Sequence, residues 1–490
     1  MKKTLSLLLA TLMLTSSVLI GCSDTPADST DTSAPADSTS EAETTTAETE
    51  LTDGLEDKNM DGFEFKIYNS TPESLSWAEV RLSVEETDGD ILNEAIYERN
   101  LYIEERFKTK LVNTSAKWDE IAKQYATLVS SGDNAYDIIM AYGVRTGNLI
   151  DYVADFNQVP YVALDKDWWN PTASETFHIG GKRFAAAGNF SLSYASTANL
   201  LMFNKNLYTK MNTGEDLYKL VRDGKWTVDK FLSTVVAGSS DLNGDGKFDA
   251  NDQYGIGGTV KALHHMLVIG SGMKYVTLDK DNFPIFKISS NEKMVNFLEK
   301  IVNFHIANPN AYSWPSTVDS DSPVLFDTGK DLFYVAWPHN LTKYREMEDD
   351  FGVIPAPKYD EAQEKYYANM ANGEVATLPR SYDKARLDNI GILLEAMSFY
   401  THQEVIPIYK DVVLDLKVTR DSDSAEMLDI VFAGITYDYG INVWQTEIGN
   451  KLMKEIIFNK SNAIVSYLTS IEPTLDATIA KIRTSVEAIP

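Results

Sequence analysis

Hydrophobic and polar positions alternate at Phe63-Glu64-Phe65-Lys66-Ile67-Tyr68, a period of two that predicts a strand with one buried face. The period then changes. Asp90 is placed to cap a helix that carries Leu92, Ile96, Ile103 and Phe107 on one side. Lys110-Leu111-Val112 reads as a second strand. Trp118, Ile121, Tyr125, Leu128 and Val129 recur at helical spacing, and Ser131-Gly132-Asp133-Asn134 ends that helix. Tyr136 to Met140 reads as a buried strand. Strand, helix, strand, helix, strand predicts an α/β fold around a mostly parallel sheet, with ligands at the carboxyl ends of its strands. On this pattern Trp118 is assigned to the core.

The longest apolar run lies elsewhere. Met1, Lys2 and Lys3 precede Leu5 to Ile20, which only Ser and Thr interrupt. This is the layout of an export signal over residues 1–21. It closes on Leu19-Ile20-Gly21-Cys22, a lipobox, so Cys22 is the expected lipidated N-terminus and the route to a membrane. From Ser23 to Asp57 there are eleven acids, no Lys or Arg and no aromatic ring. Such a segment buries too little apolar surface to fold, and residues 22–57 read as an acidic tether.

Composition narrows the function classes. The chain has 490 residues, of which 43% are hydrophobic and 11% aromatic. That supports two lobes with sizeable cores and excludes a wholly disordered chain. A net charge of -28 repels phosphate backbones and argues against nucleic acid as a partner. Cys22 is the only cysteine, which excludes an internal disulfide and a cysteine-rich metal site. The sequence carries no Gly-x-Ser-x-Gly elbow, no His-Glu-x-x-His and no phosphate loop. His264 and His265 are neighbours, so on a helix they diverge and do not share one metal.

One stretch carries explicit metal chemistry. Between residues 241 and 252, oxygen donors fall at positions 1, 3, 5, 9 and 12 of a calcium loop: Asp241, Asn243, Asp245, Asp249 and Asp252. Position 7 offers the carbonyl of Lys247, and Gly246 stands at the sharp turn. With a strand rather than a helix expected after it, the loop reads as an isolated structural Ca2+ site.

Several segments taken together resemble a known family. They are NEAIYERN at 93–100, IEERF at 103–107, SGDNAYD at 131–137, WWNP at 168–171, LYKLVRDGKWT at 217–227, FDTGK at 326–330 and DDFGVIP at 349–355. Their order and spacing are similar to those of the family 1 extracellular solute-binding proteins of bacterial ABC importers, in the maltose-binding-protein-like cluster. The resemblance implies a type II periplasmic-binding-protein-like fold, with a ligand cleft between two α/β lobes. It places the first lobe at 58–195 plus 356–402 and the second at 196–355 plus 403–490. Crossings are expected near 183–203, 351–357 and 399–405. It further implies a carbohydrate ligand, ABC permease subunits as partners, an extracytoplasmic location and no enzymatic activity.

Sugars pair C–H faces with aromatic rings and hydroxyls with fixed polar groups. Tyr142 and Arg145 follow the strand ending at Met140, and Tyr194 lies in the first crossing. The resemblance adds Trp337, after a strand of the second lobe, and Trp444, late in that lobe. Trp77 and Glu374 complete the candidate ligand-binding set. A lipid-anchored glycoside hydrolase or a carbohydrate-adhesion lipoprotein is the alternative function. Cys22→Ala is expected to leave the chain unlipidated and move it out of the membrane fraction; fatty-acid labelling that persists in the variant refutes the lipobox reading.

Overall fold

The alternation at Phe63 becomes the first strand of a computed structural model. The structure describes residues 51–489 apart from 85–88, 144–146, 148, 315, 318–324, 345, 371 and 415–421. The expected signal peptide, Cys22, most of the tether and Arg145 therefore lie outside the described residues. Strands of four or more residues are, in chain order, β1 (Phe63–Ser70), β2 (Thr109–Ala116), β3 (Ile138–Tyr142), β4 (Leu200–Asn204), β5 (Tyr254–Gly257), β6 (Asp331–Ala336), β7 (Phe351–Ile354) and β8 (Glu374–Thr377). The longer helices are α1 (Ile91–Phe107), α2 (Trp118–Ser131), α3 (Val228–Ala237), α4 (Val260–Gly270), α5 (Glu292–Ala307), α6 (Leu387–Tyr400), α7 (Ile406–Leu414), α8 (Ser422–Ala433) and α9 (Ile464–Glu487).

Two four-stranded sheets result. The first runs β8-β3-β1-β2. β1 pairs in parallel with β2 from Phe63 opposite Thr109 to Ser70 opposite Ala116, and with β3 at Ile67 and Tyr68. β8 returns antiparallel to β3, with Glu374 opposite Tyr142. The helices between these strands form where periodicity places them. The Asp90 carboxylate accepts from the N–H groups of Leu92 and Asn93, and Gly132 at φ 69° ends α2. The second sheet runs β7-β4-β6-β5. β4 and β6 are buried at every position, as expected of strands covered on both faces. Trp226 is wholly buried, and its indole N–H donates to the Pro355 carbonyl at 3.0 Å.

The motifs that carried the resemblance turn out to hold these lobes together. Trp168 and Trp169 both donate indole N–H to the buried Glu395 carboxylate of α6, at 2.8 and 2.6 Å. Asp137 accepts from Arg386 Nε at 2.6 Å and from the Lys66 N–H at 2.8 Å, tying β3 to β1 and to the start of α6. Arg99 is buried and donates to the Leu82 carbonyl at 2.6 Å and to Thr401 Oγ1 at 2.8 Å. Arg106, near the end of α1, donates to Asp53 at 2.5 Å and to Asp57 at 2.7 Å. The last acids counted as tether are thus fastened to the first lobe.

The segment expected as the first crossing is held by isolated bridges. Ala186 pairs with Ala376 and Ala198 with Met370, and β4 follows at once. At 351–357, where the second crossing is expected, the chain is partly strand. Phe351–Ile354 is an edge strand of the second sheet, and the chain passes back through Ala368–Asn369, which pairs with Ile435–Thr436. The third begins as helix rather than an extended link. α6 continues through a wide π-turn at Thr401–Val405 into α7, which packs on α1 and on the short helix Pro338–Leu341.

Candidate functional site: an aromatic cleft between the lobes

Parallel strands point their carboxyl ends one way, so the residues just after them gather. β3 ends at Tyr142, and Trp118 opens the helix after β2. Their rings are 5.2 Å apart, and Trp77, beyond β1, is 6.2 Å from Tyr142. All three are half-buried. In the second lobe, Thr259 caps α4 after β5, and Trp337 follows β6. A cavity of about 220 Å³ lies between these groups. Tyr142 and Asn372 line it from the first lobe, Asn199 and Asn369 from the crossings, and Thr259, Lys261, Trp337 and Gln445 from the second lobe. The lobes also touch directly: His339 Nε2–H donates to the Ser76 carbonyl at 3.0 Å.

The polar groups of the cavity are set by short contacts. Tyr142 donates to Asn372 Oδ1 at 3.1 Å. With its amide oriented to satisfy its neighbours, Asn199 Oδ1 accepts from Trp337 Nε1 at 2.8 Å. Asn369 is 3% exposed, and in the same orientation the Asn199 amide nitrogen donates to its backbone carbonyl at 3.2 Å and lies 3.2 Å from its side-chain amide. His265 lines the wall as a neutral ring. Its Nε2–H donates to the Gly449 carbonyl, Nδ1 accepts from Tyr275, and burial pushes its pKa down to about 3. His264 turns away and pairs with His305 at 2.8 Å between Nε2 atoms.

Two of the aromatic candidates lie elsewhere. Trp444 is 3% exposed and packs edge-to-face on Tyr439 at 5.5 Å, inside the second lobe. It belongs to the core and does not line the cavity. Tyr194 is buried with its hydroxyl among Asn170 and the Phe432 carbonyl. It lines a separate cavity of about 500 Å³ that shares no residue with the cleft. Trp118, assigned to the core from its periodicity, is half-buried against the Leu75, Ala78 and Val80 cluster and stands beside Tyr142 without lining the cavity. Glu374, a ligand-binding candidate, is not among the residues that line the cavity. It opens β8, is 2% exposed, and accepts the Ser70 N–H at 3.0 Å through Oε1. Its Oε2 has no partner, and desolvation pushes the carboxyl up to about 7.

The calcium loop is folded on its own N–H groups. Asp241 accepts from Gly244 and Gly246 at 2.6 and 2.8 Å, Asn243 from Asp245 and Asp245 from Lys247, each at 2.8 Å. Asp249 accepts from Asn251 at 2.7 Å, and Asp252 accepts from Leu242 and from Asp249. Gly246 takes φ 78°, the turn that position 6 demands. Among the described residues no three His, Cys, Asp or Glu side chains are gathered as a metal cluster.

The architecture has known counterparts. The sugar-binding protein MalE from the phytopathogen Xanthomonas citri superposes with a TM-score of 0.58 at 11% identity, covering 86% of this chain and 99% of that one. A cyclic alpha-maltosyl-1,6-maltose binding protein from Arthrobacter globiformis gives 0.51 at 13% identity, over 87% and 99%. A cyclo/maltodextrin-binding protein complexed with maltotetraose gives 0.51 at 12% identity, over 87% and 98%. The chain has their two-lobed fold. No protein-family model matches it, and no curated protein matches its sequence. Among the described residues no helix is long and apolar enough to cross a membrane.

The buried Glu374 sets a pH dependence. The folded chain holds this proton up to about pH 7, whereas an unfolded chain releases it near the ordinary 4.5. Stability is therefore lost as pH rises from about 4.5 to 7 and is level above that. Over two pH units this amounts to about 3 kcal/mol. Denaturant melts at pH 5 and pH 8 are expected to show that loss in the wild type and its disappearance in Glu374→Gln; equal slopes in the two proteins place the carboxyl in water.

Proposed function

We propose that this chain is an extracytoplasmic solute-binding receptor, which captures a carbohydrate between its lobes and delivers it to an ABC permease. The observation that carries the reading is the inter-lobe cavity. Aromatic faces reach it from both lobes, and amide groups supply fixed hydrogen-bonding partners around them. This is the surface that a sugar ring needs. Binding proteins whose names specify sugars share the fold, which favours a receptor over the glycoside hydrolase alternative. Cys22 supplies the lipid anchor in this reading. Ser23 to Thr52 are thirty residues, a spacer of at most about 100 Å, which leaves from the Arg106 clamp at the end of α1.

A ring stacked on a sugar face contributes about 1 kcal/mol or slightly more, close to tenfold in affinity. Titration calorimetry against a panel of oligosaccharides is expected to show binding without turnover, weakened about tenfold by Trp337→Ala. Trp444→Ala is expected instead to cost about 3–5 kcal/mol of stability in denaturant melts, as a core truncation does. Sugar affinity unchanged in Trp337→Ala refutes the cleft, and release of a hydrolysis product refutes the receptor.

The donor spacing at 241–252 supports a structural calcium ion as part of the same reading. An ion bound only by the folded state raises Tm by mass action. Calcium is expected to raise the Tm of the wild type and not of the Asp241→Ala, Asp245→Ala double variant. A wild-type Tm that calcium does not move leaves the loop as a solvated turn.

A further inference from the structure

The larger cavity, of about 500 Å³ and lined by Tyr194, has no part in the cleft. We propose that it is a second ligand site, built for a small organic ammonium ion. This inference does not rest on what the cleft holds. A space of roughly 300–1,000 Å³ with apolar walls and a few fixed polar groups is the usual form of a small-molecule site. The walls here come from segments that run between the lobes: Asn189 and Tyr194 from the expected first crossing, His402 from the π-turn, and α7 and α8 beyond it. Single π-turns within helices recur at functional sites.

The walls are held from outside the cavity. The Asn170 amide donates to the Ile435 carbonyl at 3.1 Å, and the Tyr194 hydroxyl to the Phe432 carbonyl at 3.5 Å. The rings of Tyr194 and Phe432 remain as apolar faces. Asn189 Nδ2 donates to His402 Nδ1 at 2.7 Å, which turns Asn189 Oδ1 into an available acceptor.

Charge selects the ligand. Among the described residues lining the cavity, the formal charges are those of Asp167, Lys410 and Asp429. Lys410 Nζ donates to Asp429 Oδ1 at 2.6 Å, so that pair cancels. The Asp167 carboxylate, exposed at the rim, has neither a hydrogen bond nor an ion pair with a described residue. His402 adds no charge: burial lowers its pKa, and the Asp167 carboxylate is near enough to oppose that effect in part. One uncompensated carboxylate therefore faces a largely apolar space. A neutral ligand leaves it to water, and an anion is repelled by it. An alkyl or aryl ammonium sets its charge against Asp167, has a further N–H for Asn189 Oδ1, and lays its body on two rings whose faces attract a cation.

The test is calorimetry on the purified full chain with butyl-, cyclohexyl- and 2-phenylethylammonium, each compared with the alcohol and the carboxylate of the same body. The best ammonium is expected to bind at least about tenfold more tightly than its alcohol, the size of a charge-assisted hydrogen bond, and its carboxylate is expected not to bind. Asp167→Asn is expected to remove that advantage. Ala433, exposed at the end of α8, also lines the cavity, and Ala433→Trp is expected to abolish binding by filling the space. Both positions are exposed, so both variants are expected to keep the wild-type Tm. An ammonium bound no better than its alcohol, or an advantage that survives Asp167→Asn, overturns the charge selection. Binding that survives Ala433→Trp, or no binding of any ammonium, overturns the site.

Discussion

The passages that join the two lobes are hydrogen-bonded backbone, and the cleft depends on this. Ala186 pairs with Ala376, Ala198 with Met370, and Ala368–Asn369 with Ile435–Thr436. Buried N–H and C=O groups must be paired, so these segments satisfy one another and form a stiff seam. Two consequences follow. The seam fixes which ends of both sheets face each other, so Tyr142 and Trp337 meet across one space. It also brings Asn199 and Asn369, seam residues themselves, to the floor of that space. Lobe motion is then confined to what the seam and the π-turn at Thr401–Val405 permit.

Much of the first lobe was legible in the sequence because its rules are local. Asp90 caps, Gly132 stops, and a period of two at Phe63 makes a strand; each needs only near neighbours. The motifs that carry the resemblance were legible too, but for a reason that concerns packing. Trp168 and Trp169 serve Glu395, and Asp137 serves Arg386. They fix the geometry of the first lobe and say nothing of the ligand. Phe351–Ile354, expected within a crossing, is a buried edge strand; four apolar residues pass for a link or a strand, and periodicity does not separate the two.

The cleft was only half legible. Trp118 repeats at helical spacing with Ile121 and Tyr125, so pattern assigns it to the buried stripe. It is the first residue of α2, at the strand–helix junction, and there it packs against Leu75, Ala78 and Val80 with Tyr142 beside it. Trp444 has the opposite history: a tryptophan in a polar context turns inward where a short helix meets the π-helix Gln445–Phe458. The amides Asn199, Asn369 and Asn372 left no signal, since a lone polar residue in a connecting segment has no period.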